Sequence, residues 1–189
     1  MSDDSKPESS RTPALDAGEF GVETEPGSLR LERVLPGPME RVWAYLTESD
    51  KRALWLAPGA MELRVGGSVD MKFRHSELSR DPTLPKDQKN CEVSGKVTRC
   101  DPPRLLSYTW NDGSGDRSEV TFELSPRGSN VLLVLTHRRL DDRAHLVGVA
   151  TGWHTHVGIL LDRLNDREPR PFWQTKLQME AEYQKRLAK

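Results

Sequence analysis

One amphipathic segment, residues 148–167 (GVATGWHTHVGILLDRLNDR), constrains the fold more than any other part of the sequence. At about 100° per residue its apolar side chains fall within one arc of a helical wheel, which predicts a helix with one buried face. The arc contains Val149, Ala150, Trp153, Val157, Leu160, Leu161 and Leu164. His156 lies at one margin of the arc and His154 just beyond the other. Every strand-like segment precedes this helix, so we expect it to pack against a sheet.

Composition argues against several classes of partner. The 189 residues suit one domain with a core, and 28 basic against 29 acidic residues leave a net charge of -1. Because no basic block stands apart, we do not expect charge-driven binding to nucleic acid or to an anionic membrane. No apolar run reaches the roughly 20 residues of a membrane span, and the N-terminus lacks a secretion signal. We therefore predict a cytoplasmic protein, in which Cys91 and Cys100 are buried thiols too far apart to form a disulfide.

Alternating apolar residues between turn signals predict an antiparallel sheet. A first strand at residues 28–35 is followed by two short helices within residues 38–56 and by a hairpin whose first strand is residues 61–65. The remaining predicted strands are residues 68–75, 91–100, 104–110, 117–124 and 131–137. Five consecutive apolar residues at 131–135 indicate a strand that is covered on both faces and is therefore central.

Both ends of the chain and one insertion differ from this pattern. Residues 1–27 are rich in Ser, Asp, Glu, Pro and Gly, which predicts a disordered tail. Residues 76–90 are long for a connection inside a domain and predict a flexible flap. The domain then spans residues 28–168, and residues 169–189 form a helical extension. Its apolar face either packs back on the body or meets a second subunit, which would make a homodimer.

Five sequence pieces, taken in order, carry a family resemblance. They are PGPMERVWAYLTESDKRALWL, ELRVGGSVDMKF, GKVTRCDPPRLLSYTW, SEVTFELSPRGSNVLLVLTH and TGWHTHVGILLDRL, and together they span residues 29–164. The chain resembles the START-like superfamily, also called Bet v 1-like or SRPBCC, and within it the AHSA-like family. The resemblance implies an α+β helix-grip fold, in which a curved antiparallel sheet of six or seven strands wraps the long C-terminal helix.

The same resemblance implies a cavity between sheet and helix that receives a hydrophobic or amphipathic small molecule. Aromatic and apolar residues on the predicted strand and helix faces would line it, with three histidines as polar points. The predicted lining residues are Phe73, His75, Tyr108, Trp110, Phe122, Leu133, His137, Trp153, His156 and Val157. Trp153 is the strongest candidate for a residue that contacts the ligand. An equally good interpretation is a core tryptophan that sets the distance between helix and sheet.

The sequence contains no pattern typical of a catalytic or metal site. His154 and His156 are two residues apart, so one helix face cannot offer both to one metal ion, and we expect no metal and no cofactor. The first hypothesis is therefore a binding protein that does not transform its ligand. The alternatives are a co-chaperone-like or regulatory protein that binds a protein partner, and a cyclase- or hydratase-like enzyme with His156 or His137 as the base.

Overall fold

The computed structural model describes residues 20–83, 85, 91–111 and 118–187, which form a seven-stranded antiparallel sheet and four helices. The strands are β1 (Val22–Glu25), β2 (Ser28–Pro36), β3 (Ser68–Phe73), β4 (Cys91–Asp101), β5 (Leu105–Trp110), β6 (Ser118–Arg127) and β7 (Asn130–Arg138). The helices are α1 (Met39–Thr47), α2 (Ser49–Arg52), α3 (Arg143–Leu164) and α4 (Phe172–Arg186). The predicted α+β helix-grip architecture is confirmed.

The strand order β1-β2-β7-β6-β5-β4-β3 places the last strand in the middle of the sheet. β7 pairs with β2 on one side and with β6 on the other, and both pairings are antiparallel. Leu133 and Leu135 on one face of β7 are fully buried, and Val134 on the other face is 9% exposed. The prediction of a central strand from five consecutive apolar residues is therefore confirmed.

The long helix α3 begins earlier than predicted and is buried on more than one side. Asp142 is its N-cap, since the carboxylate accepts a hydrogen bond of 2.8 Å from the His145 backbone N–H. The first turn of α3 is polar, so the pattern of apolar residues did not show where the helix begins. Thr155 and Asp162 lie outside the predicted apolar arc, yet both are buried. The expectation of a single buried face was wrong, because α4 packs on the side of α3 that the sheet leaves open.

The predicted strand at residues 61–65 does not form. Met61 makes an isolated bridge with Val69, and the Glu62 N–H donates to the Ser68 carbonyl oxygen, but no regular ladder follows. Leu63 and Val65 are 42% and 67% exposed. The alternation of apolar residues suggested a strand, but these side chains find no core to bury them, so packing does not stabilise a ladder here.

The N-terminal tail was predicted too long. Residues 1–19 lie outside the described residues, but residues 20–27 are ordered. β1 pairs antiparallel with β2, and Phe20 is buried against the rings of His154 and Tyr183. The four residues of β1 are all exposed, so their order comes from backbone pairing and not from an apolar face that composition could reveal.

The C-terminal helix α4 packs back on the domain. Its apolar residues Phe172, Met179 and Tyr183 are buried within the same chain, so most of its apolar face packs on the domain, while Leu177 is 62% exposed. The turn before α4 is held by the Arg170 guanidinium, which donates two hydrogen bonds of 2.7 Å to the carboxylate of Asp162 in α3. Residues 169–187 thus pack as part of the domain.

The predicted flap at residues 76–90 lies only partly within the described residues, which omit 84 and 86–90. Where it is described it packs on the domain: a 3₁₀ turn, His75–Glu77, leads to Leu78, which is 2% exposed. The Leu78 carbonyl oxygen accepts a hydrogen bond from Arg163 of α3. This part of the segment is therefore attached to the domain and does not behave as a free flap.

A hydrogen-bond network joins α3, α4 and the N-terminal strand pair on the far side of α3. The Tyr183 hydroxyl accepts a hydrogen bond from the Gly21 N–H at 2.8 Å and lies within hydrogen-bond distance, 3.0 Å, of His154 Nδ1. Burial lowers the pKa of His154 from 6.5 to about 3, and the guanidinium groups of Arg33, Arg170 and Arg186 add to the shift. His154 is therefore neutral in the folded protein at neutral pH.

This neutral histidine predicts a loss of stability in acid. Below about pH 6.5 the unfolded chain binds a proton at His154 that the folded chain does not bind until near pH 3, so the free energy of unfolding falls as pH falls. His154→Asn keeps an acceptor for Tyr183 but cannot titrate. We expect its stability to fall less steeply than that of the wild type, by up to about 1.4 kcal/mol per pH unit.

Urea unfolding at about pH 7, 6 and 5 measures this difference. The remaining histidines are the same in both proteins, so their contributions cancel. Equal slopes in the two proteins would contradict the buried, neutral state of His154.

The Asp162–Arg170 pair predicts an asymmetric response to mutation. The Asp162 side chain is 11% exposed and that of Arg170 is 33% exposed. Arg170→Met leaves the more buried charge without its partner, so we expect a loss of about 2 kcal/mol, larger than the loss from Asp162→Asn. The double variant should recover part of the loss, because no unpaired carboxylate remains. Urea unfolding of the three variants checks the order, and an equal cost for the two single changes would contradict it.

Candidate functional site

A cavity of about 340 Å³ lies between one end of the sheet, the first half of α3 and the start of α4. Strand ends form one wall, since Phe73 closes β3, Trp110 closes β5 and His137 precedes the last residue of β7. α3 and α4 form the opposite wall, and Leu56, which follows α2, contributes a further side chain. The lining is almost entirely apolar or aromatic, which suits a molecule with little charge.

The structure brings six of the ten predicted lining residues together at this cavity. They are Phe73, His75, Trp110, His137, Trp153 and His156. The rings of Trp110 and Trp153 meet edge to face with centroids 5.3 Å apart. Each of the two also approaches the ring of His137, so the three side chains form a continuous aromatic surface.

The other four predicted residues, Tyr108, Phe122, Leu133 and Val157, do not line the cavity. All four are buried in the core, but the cavity does not extend to them. They lie further from the strand ends, where Tyr108 stacks on Phe122 and the edge of Phe122 meets Trp153. A period of two residues shows which face is inside but not how deep the cavity reaches.

Two glycines of α3 form part of the helical wall of the cavity. Among the residues that the structure describes, an added Cβ at Gly148 or at Gly152 would meet no atom within 4 Å, so each faces open space there. Gly158, one and a half turns after Gly152, differs: its added Cβ would lie 2.9 Å from Arg170 Nη1. Packing therefore explains Gly158, whereas the first two glycines keep the helix surface bare beside the cavity.

α4 contributes an aromatic side chain and a cation that the sequence analysis did not include. The Phe172 ring stacks on His75, with centroids 4.5 Å apart and an interplanar angle of 16°, and it lies 5.1 Å from the His156 ring. Lys176, one turn later, also lines the cavity. A helix placed outside the family pattern gave no signal for this role, because its position depends on the turn at Arg170.

The segment after β3 holds the start of α4 in place. The Phe172 N–H donates to Ser79 Oγ at 2.9 Å, and the N–H groups of Trp173 and Gln174 both donate to Asp81 Oδ2. Burial raises the pKa of Asp81, but hydrogen bonds from Thr83 and from these two backbone groups outweigh it and lower the pKa below its usual value. Asp81 thus acts as an N-terminal cap that fixes Phe172 at the cavity wall.

Further residues of the cavity come from positions that the sequence analysis did not single out. Cys91 and Val93 belong to β4, and His145 and Val149 belong to the first half of α3. Val149 lay in the predicted apolar arc, which could have identified it. Cys91 is exposed and Cys100 is half-buried, so the expectation that both thiols are buried was wrong.

Trp153 is oriented by a chain of hydrogen bonds. Its indole N–H donates to His137 Nδ1 at 2.9 Å, and His137 Nε2 lies 2.7 Å from Ser118 Oγ. Because an indole nitrogen only donates, Nδ1 must carry the lone pair, and Nε2 carries the proton of the neutral ring. Both ring nitrogens of His137 are therefore engaged in holding the aromatic wall.

His156 and His75 are the other polar points of the wall, and both are neutral at pH 7. Burial lowers the pKa of His156 from 6.5 to about 3, with a further contribution from His75. Burial also lowers the pKa of His75 to about 4, assisted by the charge of Lys176. His156 Nδ1 lies 2.7 Å from the Trp55 carbonyl oxygen. The site thus offers hydrogen-bonding groups without positive charge on either ring.

Within the described ranges, no three histidine, cysteine or acidic side chains are grouped so that they could hold a metal ion. None of the helices in the same part of the chain is long and apolar enough to cross a membrane.

Comparison with solved structures supports the architecture. A solution NMR structure of the protein encoded by gene BPP1335 from Bordetella parapertussis is 43% identical over 90% of this chain and 91% of that chain, with a TM-score of 0.75. CalU16 from Micromonospora echinospora is 23% identical over 86% of this chain and 89% of its own, with a TM-score of 0.65. MLL2253 from Mesorhizobium loti is 25% identical over 74% and 96%, with a TM-score of 0.58.

Sequence comparison identifies the family. No curated protein matches the chain. The family model described as Activator of Hsp90 ATPase homolog 1-like protein matches residues 36–165, which is more than half of the chain. With its helix-grip fold and this match, the chain belongs to the AHSA1 family of SRPBCC proteins.

Proposed function

We propose that this protein binds an apolar or amphipathic small molecule in the cavity between the sheet, α3 and α4, and releases it unchanged. The observation that carries the proposal is the pair Gly148 and Gly152, which keep the helical wall bare where a side chain would have room. The cavity volume of about 340 Å³ falls within the usual range for small-molecule sites, roughly 300–1,000 Å³.

The two glycines argue for function because they weaken the helix. A glycine inside a helix costs roughly 0.5–1 kcal/mol relative to alanine, and neither position has a packing reason to exclude a methyl group. Loss of stability that packing does not explain is typical of functional sites. Space that is kept free for a ligand would account for the stability that these two glycines cost.

The properties of the histidines favour binding over turnover. A general base works best with a pKa near the working pH, but the pKa of His156 is about 3. Both nitrogens of His137 hold neighbouring side chains. The two histidines that the enzyme hypothesis needs as bases are thus poorly suited to that task, and the enzyme alternative has less support.

A role as a protein partner stays an alternative. The family description names an activator of a chaperone ATPase. The test is whether the purified protein changes the ATP hydrolysis rate of the 90-kDa chaperone. An unchanged rate, with binding of a small molecule intact, would leave the cavity as the functional site.

The cytoplasmic location of the protein is also a prediction.

Removal of the two glycines should stabilise the protein. We expect Gly148→Ala and Gly152→Ala each to raise the free energy of unfolding by about 0.5–1 kcal/mol, because each gains helix propensity and meets no atom. Gly158→Ala is the matched control and should bring no gain, since its methyl group meets the Arg170 guanidinium. Urea unfolding measures all three, and a Gly148→Ala or Gly152→Ala variant that is no more stable than Gly158→Ala would contradict the open wall.

Filling the cavity should abolish binding. N-phenyl-1-naphthylamine, a neutral probe that fluoresces in apolar surroundings, should bind the wild type with a saturable increase in fluorescence. Gly152→Leu places a side chain in the cavity, and we expect at least a tenfold weaker affinity. Gln178→Leu adds the same side chain at an exposed position of α4 and should bind like the wild type. Absence of binding to the wild type, or equal binding by both variants, would refute the proposal.

A further inference from the structure

A buried neighbour determines which ring nitrogen of His156 carries the proton. Its Nδ1 lies 2.7 Å from the Trp55 carbonyl oxygen, and since a carbonyl only accepts, Nδ1 carries the proton. Trp55 is fully buried, and its indole N–H donates to the Tyr45 carbonyl oxygen at 2.8 Å. The neutral ring therefore has its lone pair on Nε2, and the backbone at Trp55 keeps it there.

The lone pair on Nε2 lacks a partner within the described part of the chain. The ring neighbours of His156 are Phe73, His75 and Phe172, and no side chain or backbone group there donates a hydrogen bond to it. His156 is 5% exposed, and the surface that it keeps lines the cavity. Because His156 lines the cavity, this surface is available to a ligand.

An acceptor in an apolar wall selects for the chemistry of the ligand. A hydroxyl group supplies the donor that Nε2 lacks, whereas a ligand without a donor displaces water from Nε2 and leaves the acceptor unpaired. An ionised carboxylate at this point has no hydrogen to donate, and its lone pairs would repel the lone pair of the ring nitrogen. The walls on either side are rings, among them Trp110, Trp153 and Phe172, which favour a flat ligand.

We infer, on the basis of the proposed function, that the cavity takes a neutral, flat, apolar molecule with a hydroxyl group, which donates its hydrogen bond to His156 Nε2. A phenol has this chemistry. Lys176 at the cavity is the feature that would favour an anionic ligand instead, so the test includes one.

Displacement of N-phenyl-1-naphthylamine by three matched naphthalenes tests the inference. 2-Naphthol donates a hydrogen bond, 2-methoxynaphthalene cannot, and 2-naphthoate brings a negative charge to the same ring system. We expect the wild type to bind 2-naphthol about five- to tenfold more tightly than 2-methoxynaphthalene, and more tightly than 2-naphthoate.

His156→Phe keeps a ring of similar shape but removes the acceptor, and we expect the preference for 2-naphthol to fall below about twofold. His154→Asn is the matched control on the other side of α3, where the side chain contacts Tyr183, and it should keep the preference. If His156→Phe does not fold, the nitrogen-15 resonance of His156 Nε2 in the wild type supplies the answer. It should shift when 2-naphthol binds and stay unchanged with 2-methoxynaphthalene.

The outcomes separate this inference from the proposal on which it rests. Equal affinity for 2-naphthol and 2-methoxynaphthalene, or tighter binding of 2-naphthoate, would overturn the hydroxyl inference and leave the binding function standing. If neither the probe nor any of the three naphthalenes binds the wild type, both fail together.

Discussion

The contact between α3 and the curved sheet holds the rest of this structure in place. Along the second half of the helix Val157, Leu160 and Leu164 are buried to 2% exposure or less, and α3 packs against β2 of the sheet. Along the first half Gly148 and Gly152 leave the helix surface without side chains beside the cavity. One helix thus provides both the tightly packed core and the wall of the cavity.

The polar groups around the cavity act by orientation more than by charge. His137 holds the Trp153 indole, and the Trp55 carbonyl oxygen holds His156, so each ring presents one defined edge. Burial keeps His156 uncharged at neutral pH. Recognition in such a site depends on matching hydrogen-bond donors to acceptors, because an unmatched buried acceptor weakens binding.

Most of the fold could be predicted because its main helices and strands have recognisable local patterns of apolar residues. The apolar run at residues 131–135 indicated a central strand, and the arc from Val149 to Leu164 indicated the long helix; both are present. The wrong predictions concern segments stabilised by distant partners. β1 is ordered by pairing with β2 although its side chains are exposed, and residues 61–65 alternate like a strand without a core to cover them.

The sequence by itself determined which residues share one face of each strand and helix, because side-chain direction follows the period of each element. The assignment of Phe73, Tyr108 and His137 to the inner face was a hypothesis, and all three are buried. Only the tertiary structure decided how deep along the strands the cavity lies, and that α4 closes it with Phe172. That decision depends on the Asp162–Arg170 pair and on the Asp81 cap, contacts between residues eight or more positions apart, which no local pattern encodes.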